Sequence, residues 1–425
     1  MNKLFVILFF LLNGFSARSQ VNWVTPDHVY APNIKTVRLI LAGSPLSYPI
    51  IGLNGSQVAE LSFDDLDGDV KDYYYTLELC NADWTPSELS PFDYLQGFAD
   101  NRLENYRFSN GTLQKYTHYT LDIPNSSCQP KRSGNYLLKI YLNDDTSQLV
   151  LTRRLLVVDP KASIAGFIQQ PINPRLYQTG QKVNFSINMG SLNISDAPDQ
   201  IKVFILQDYR WDNAISGIQP TFIQGNELQY NTESDCIFPG MKEWRILDMR
   251  SLHMSTERVR QVVSHSDSTD VYVYPDPSRS NINYQTYRDI NGMFIPELIK
   301  QGYNPDYEGD YALVHFIFPA TEPYGTSSMY IFGELTNYEC NDQDKMVYNP
   351  EKQAYEGSLY LKEGYYNYIY GLIDPGRDSL VTTYTEGDWW GTENNYTILV
   401  YYRSLGGRSD QLIGSTTLNS VINRK

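Results

Sequence analysis

The stretch Tyr73-Tyr74-Tyr75-Thr76-Leu77-Glu78-Leu79-Cys80-Asn81-Ala82-Asp83-Trp84 decides the fold class. Aromatic and aliphatic residues fill most of Tyr73 to Cys80, and the polar Thr76 and Glu78 stand two apart. That alternation predicts a half-buried strand, and Asn81 and Asp83 then signal a turn. Aromatic and β-branched side chains suit a pleated surface better than a helix.

Working outward, the same signal repeats. Thr36–Leu41, Tyr136–Tyr141 and Leu149–Val158 read as strands, and Asp159-Pro160 closes that block. A second block opens at Gln170-Pro171 and holds strand signals at Lys182–Asn188, Ile201–Gln207, Glu243–Asp248 and Val271–Tyr274. The Pro- and Ser-rich segment from Pro275 to Asn281 reads as a loop, and the next boundary is expected near 305. A third block carries Tyr311–Phe318, Met329–Phe332, Tyr355–Leu361, Tyr365–Gly371 and Tyr396–Arg403. No window shows a convincing helical period. The expected fold is all-β, with three consecutive Ig-like or fibronectin-like β-sandwiches at 20–160, 161–305 and 306–425.

Composition agrees. The 425 residues include 35 Tyr, 41% hydrophobic and 20% charged residues, which describes a globular chain and not a disordered one. With 34 Lys+Arg against 49 Asp+Glu the net charge is −15. That argues against nucleic-acid binding and against electrostatic docking on anionic lipid.

The N-terminus has Lys3, an apolar run from Leu4 to Leu12, and small residues up to Ala17-Arg18-Ser19. This is the pattern of a secretory signal peptide over 1–19, too short to span a bilayer. With no Cys near the cleavage site, the mature chain is expected to begin at Gln20 without a lipid anchor. An exported chain meets an oxidising compartment. Cys80 and Cys128 are the candidate pair for a disulfide, and four free, partly buried thiols are the alternative.

Motifs for chemistry are absent. The sequence has no nucleophile elbow, no H-E-x-x-H and no Walker-type loop. Its five His stand far apart, so neither catalytic residues nor a metal or cofactor site is assigned. The run Asp64-Asp65-Leu66-Asp67-Gly68-Asp69 departs from a Ca²⁺ loop, because Gly68 and Thr76 fall where the pattern needs other residues. It reads as an Asp-Gly turn.

Two resemblances add to this reading. Leu61–Leu66, Tyr73–Trp84, Pro86-Ser87-Glu88-Leu89, Asp93-Tyr94-Leu95-Gln96-Gly97-Phe98, Tyr116-Thr117-His118-Tyr119, Ile123-Pro124-Asn125 and Ser133-Gly134-Asn135-Tyr136 resemble the N-terminal domain of the Plug proteins of the Bacteroidetes type nine secretion system. The segment from Asp410 to Ser420 also resembles that family. The resemblance implies a soluble periplasmic β protein, docked at the inner face of the outer membrane. It implies a partner too, the giant translocon barrel (SprA/Sov type), whose periplasmic mouth the protein closes when cargo is absent. It carries over no catalytic residue and no cofactor.

The second resemblance is to starch- and glycogen-binding sandwich modules over about 330–400, through Ile331–Tyr338, Leu361, Gly364-Tyr365-Tyr366, Tyr368 and Asn394-Asn395-Tyr396. Tyr338 and Pro375-Gly376-Arg377 stand where that family has its sugar-stacking Trp residues, which argues against sugar binding. A secreted or periplasmic glycan-binding protein is the alternative function. Trp389 and Trp390, read as neighbours on a strand, place at most one ring in the core. The other is the candidate anchor for a partner. Trp84 and Trp211 read as structural.

Overall fold

The computed structural model describes residues 27–425 apart from 193, 195 and 378. The expected leader over 1–19 lies outside the described residues. Strands dominate, and the α-helices are single turns at Pro91–Tyr94, Ala197–Gln200 and Pro305–Glu308.

Strand Tyr73–Cys80 alternates as its sequence requires: Tyr73, Tyr75, Leu77 and Leu79 are buried, and the residues between them are partly covered. It pairs antiparallel with Gly134–Leu142, which pairs antiparallel with Leu149–Val158. A short parallel strand, Ile50–Gly52, adds to Leu149–Val158. Against this six-stranded sheet lies a four-stranded one, made of Ile34–Leu41, Ala59–Asp65, Thr117–Ile123 and Tyr106–Phe108. Leu61, Phe63, Leu77, Tyr119, Leu138, Leu151 and Leu155 fill the space between them. Each such side chain contributes about 1.5–3 kcal/mol on burial.

The second unit is discontinuous. One sheet holds Ser163–Gln169, Gly180–Asn188, Glu227–Tyr230, Phe222–Gln224 and Ile237–Pro239. The facing sheet joins Ile201–Gln207 to Asn395–Tyr402 and Gln411–Asn419, from the far end of the chain. Val203 pairs with Val400 and Ile205 with Ile398, and these side chains pack with Val183, Ile187 and Ile413.

Between those halves the chain builds a nine-stranded sheet that nearly closes into a barrel. It runs in sequence from Arg245–Asp248 to Gly364–Ile373. Thr269–Val273 pairs in parallel with Tyr311–Pro319, so strand pairing crosses residue 305. A boundary at 305 and a separate sandwich over 306–425 therefore do not hold. Strand signals are local, whereas partners here are set by packing between distant segments. The expected glycogen-binding-type sandwich is divided for the same reason. Ser328–Phe332, Lys345–Asn349, Ala354–Lys362 and Gly364–Ile373 belong to the nine-stranded sheet, and Asn395–Tyr402 belongs to the second unit.

Cys80 and Cys128 are unpaired, as are Cys236 and Cys340. Neighbouring strand residues face opposite sides of a sheet. Leu79 enters the first unit's core together with Cys128, and Cys80 faces a different apolar cluster. Burial pushes the Cys80 and Cys128 thiols up to about 12, which keeps them protonated and unreactive.

Candidate functional site

The buried charged side chains lie in three places: where the first unit meets the second, where it meets the third, and inside the third. Strand Tyr73–Cys80 ends in a tight turn, with the Trp84 N–H donating to the Asn81 carbonyl at 2.9 Å. That turn leaves the N–H of buried Ala82 free to donate to the Asp410 carboxylate at 2.9 Å. Asp410 lies just before strand Gln411–Asn419 and also accepts from Arg403 Nε at 2.7 Å and Lys202 Nζ at 3.0 Å. Arg403 in turn donates to Asn81 Oδ1 at 2.6 Å. Burial alone would push the Asp410 carboxyl up, but the Ala82 N–H, Arg403 and Lys202 outweigh it and hold it below the usual range. Around this polar knot Leu137 and Leu156 of the first unit pack on Leu206, Leu399 and Leu412 of the second. The Tyr73–Trp84 and Asp410–Ser420 stretches, far apart in sequence, are thus brought into direct contact.

Trp84 and Trp211 meet edge to face at 5.2 Å, and the Arg154 guanidinium lies over both rings at 5.1 and 4.7 Å. Asp27 holds Arg154 through a 2.6 Å ion pair. These tryptophans clamp the first unit to the second.

The first and third units are joined differently. Asp64 of strand Ala59–Asp65 is completely buried and accepts from three groups. They are Lys362 Nζ at 2.7 Å, the Tyr311 hydroxyl at 2.6 Å and His118 Nδ1 at 2.6 Å. Lys362 also donates to the Asp306 carbonyl at 2.7 Å and lies 4.2 Å from the Tyr116 ring centre. Burial pushes the Lys362 ammonium below its ordinary value. Burial would raise Asp64, but the Lys362 charge and the His118 ring offset it and leave the carboxyl lowered. Backbone contacts reinforce this junction. The Leu113 and Gln114 N–H groups donate to the Asp310 carboxylate at 2.6 and 3.1 Å.

Within the third unit, Glu386 is fully buried between Arg245 and Arg279 at 3.0 and 2.7 Å. Burial opposes its charge, yet the two guanidiniums hold its carboxyl down at about 2. Glu386 opens the segment that contains Trp389 and Trp390. These residues lie on an irregular segment, not on a strand, and both rings are half-buried. The Trp389 N–H donates to the Met241 carbonyl at 2.8 Å, and the Trp390 N–H donates to the Gln178 carbonyl at 2.9 Å. Trp389 stacks on Tyr284 at 5.6 Å, and Arg424 covers Trp390 at 4.6 Å. The pair straps the third unit to the second.

Asp65, Asp67 and Asp69 come within 4.8 Å of one another, a spacing that would suit a cation. Lys71 fills that space, at 2.8 Å from Asp65 and 3.6 Å from Asp69, with a closer contact to Asp67. Despite partial burial, its hydrogen bonds to Asp65 and Asp67 push the Lys71 ammonium up to about 12. The three acids thus share one ammonium from within the chain.

A cavity of about 270 Å³ lies at the meeting point of all three units. The first unit lines it with Tyr48 and Arg153, the second with Tyr209 and Trp211, and the third with Met293 and Glu334. Sequence reasoning missed Lys362, Tyr311 and the Asp64 pairing, since nothing local marks a charged residue as buried by a distant segment. Asp410 stood inside a resemblance, although its role as acceptor did not show.

Residues 34–159 match the family described as Type 9 secretion system plug protein 1st domain. A solved structure, that of a hypothetical protein from Parabacteroides merdae, is 35% identical to this chain. It covers 92% of this chain and 98% of its own, with a TM-score of 0.89. Trypsin-activated alpha-2-macroglobulin from Escherichia coli, at 10% identity and a TM-score of 0.17, covers 91% of this chain and 29% of its own and carries no argument. No curated protein matches.

Proposed function

This chain belongs to the family of the Parabacteroides merdae protein and carries a type 9 secretion system plug domain over residues 34–159. From that premise we propose that it is a periplasmic gating subunit, which closes the periplasmic mouth of the translocon barrel (SprA/Sov type) when no cargo occupies it. Membership of the plug-domain family is that of a non-catalytic structural protein.

The observation that carries the reading is the match of the plug domain together with the way that domain is held. Buried bonds from Asp410 and Asp64 tie it to both other units. A stopper must resist deformation, and a multi-unit β body braced by buried ion pairs meets that need. Among the described residues no helix is long and apolar enough to cross a membrane. A plug also competes with cargo for one site, so it must favour the empty state of the barrel over the occupied one.

The test is the permeability of the outer membrane. A deletion strain should take up a large, normally excluded antibiotic or dye when cargo is absent, and should keep at least part of its cargo export. Unchanged uptake would refute the gating role.

A further inference from the structure

The cavity of about 270 Å³ where the three units meet carries charges that its own walls leave unanswered. Three of its acids are paired. Asp27 binds Arg154 and Asp212 binds Arg210, each at 2.6 Å, and Glu339 meets His28 at 2.6 Å. Two charged residues on the wall form no ion pair among the described residues: Arg153 of the first unit and Glu334 of the third.

Arg153 is 6% exposed, and its guanidinium donates only to neutral oxygens. These are the carbonyls of Thr152 at 2.8 Å and Val37 at 3.4 Å, and the Asn337 side chain. Glu334 accepts the Phe294 N–H on one oxygen at 2.8 Å, and its other oxygen meets no donor among the described residues. Burial pushes the Glu334 carboxyl above its usual range, and the charges of Arg38 and Arg153 offset only part of that. Arg153 and Glu334 thus feel each other's charge across a gap too wide for an ion pair. A buried charge without a counter-charge is costly. Two of opposite sign on one cavity point to a ligand that answers both.

The rest of the wall agrees. The Tyr209 hydroxyl and Trp211 Nε1, from the second unit, have no hydrogen-bond partner, whereas buried polar groups are normally satisfied. Burial holds the Tyr209 hydroxyl well above its ordinary value, so it keeps its proton. Both groups can donate, which suits a carboxylate. Leu39 and Met293 add apolar surface, and Tyr48 stacks on Tyr209 at 4.3 Å. The volume lies below the ~300–1,000 Å³ of sites that take drug-sized molecules, so the ligand is small.

We propose that this cavity binds a free α-amino acid with an apolar or aromatic side chain. Its carboxylate meets Arg153, with the Tyr209 and Trp211 donors in support. Its ammonium meets Glu334, and its side chain lies against the apolar and aromatic wall. A zwitterion answers both charges and adds none. A simple anion leaves Glu334 without a partner, and a simple amine leaves Arg153 without one. Because the walls come from all three units, such a ligand braces their arrangement and stabilises the folded chain. The site is independent of the gating role.

The test uses the purified full chain with L-phenylalanine and L-leucine as probes, read by calorimetry and by thermal unfolding at millimolar ligand. Phenethylamine and 3-phenylpropionate each lack one of the two charges. At least one amino acid should bind and raise the melting temperature. Each single-charge analogue should bind at least roughly tenfold more weakly than L-phenylalanine if that is the probe that binds, or than L-leucine otherwise. Glu334→Gln, which can still accept from Phe294, should erase the preference for the amino acid over 3-phenylpropionate. Arg153→Met should erase the preference over phenethylamine. If Arg153→Met does not fold, the analogue series on wild type decides. Neither heat nor a shift with either amino acid overturns the proposal. So does an analogue that binds as well as the amino acid, which marks a simple anion, amine or apolar site. A crystal soaked in the binding amino acid that shows water only in the cavity overturns it too.

Discussion

The plug domain meets its two neighbours in two different ways. Against the second unit it buries an apolar cluster around one carboxylate, Asp410, whose cations remain partly open: Lys202 is 40% exposed and Arg403 32%. Against the third unit it buries a complete ion pair, Asp64 with Lys362, from which water is excluded on both sides. The first junction resembles an ordinary protein interface with a polar rim. The second resembles a lock, whose charges are tolerable only while each stays paired. The comparison teaches that one molecule can be held rigid by contacts of very different sensitivity to change.

The sharpest way to break the comparison is Lys362→Met. It strands a buried carboxylate and should cost about 3–5 kcal/mol in urea denaturation. Pairing it with Asp64→Leu should recover most of that loss. If the single change costs under about 1 kcal/mol, the lock does not exist.

Acid probes the charges inside the third unit. Glu386 has a folded-state value of about 2, below its ordinary 4.5. Its contribution is therefore fully present above pH ~4.5 and is lost as pH falls through that window toward 2. That shift corresponds to on the order of 3 kcal/mol. Unfolding midpoints measured from pH 5 to pH 2 should fall more steeply for wild type than for Glu386→Gln.

At the more open junction, Asp410→Ala leaves the Ala82 N–H unsatisfied, but Lys202 and Arg403 can turn to water. The expected loss is about 1–3 kcal/mol, below that of Lys362→Met. The reverse order would contradict the contrast between the two junctions.

The smallest effect belongs to the acidic turn. Asp67 and Asp69 are exposed partners of Lys71, so changing both to Asn should shift stability by roughly 0.2–1 kcal/mol. Millimolar Ca²⁺ should not move the melting temperature, because Lys71 occupies the space between the acids. A Ca²⁺ shift that the double change abolishes would show that the lysine yields to a metal.

How much of this was legible in the sequence follows from the range of each signal. The strand Tyr73–Cys80 was legible, since alternation is local and its inward residues are those the period predicts. The pairing of Ile201–Gln207 with Asn395–Tyr402 was not, since nothing in either strand names its partner. Strand Ala59–Asp65 shows why the lock stayed hidden. It alternates through Ser62 and then buries Phe63, Asp64 and Asp65 in succession. A strand at the meeting of two units is covered on both faces, so an acid on its outer face looks like a solvated turn residue. The Trp389–Trp390 pair, expected as strand neighbours, lies on an irregular segment, because backbone bonds to Met241 and Gln178 take it out of any sheet.

The central claim is that this protein and cargo exclude each other from one pore, and occupancy tests it most directly. Translocon particles purified with and without stalled cargo should be imaged and their subunits counted. The account predicts this protein in the mouth of cargo-free barrels and its absence from cargo-loaded ones. A single particle holding both inside the pore would contradict it.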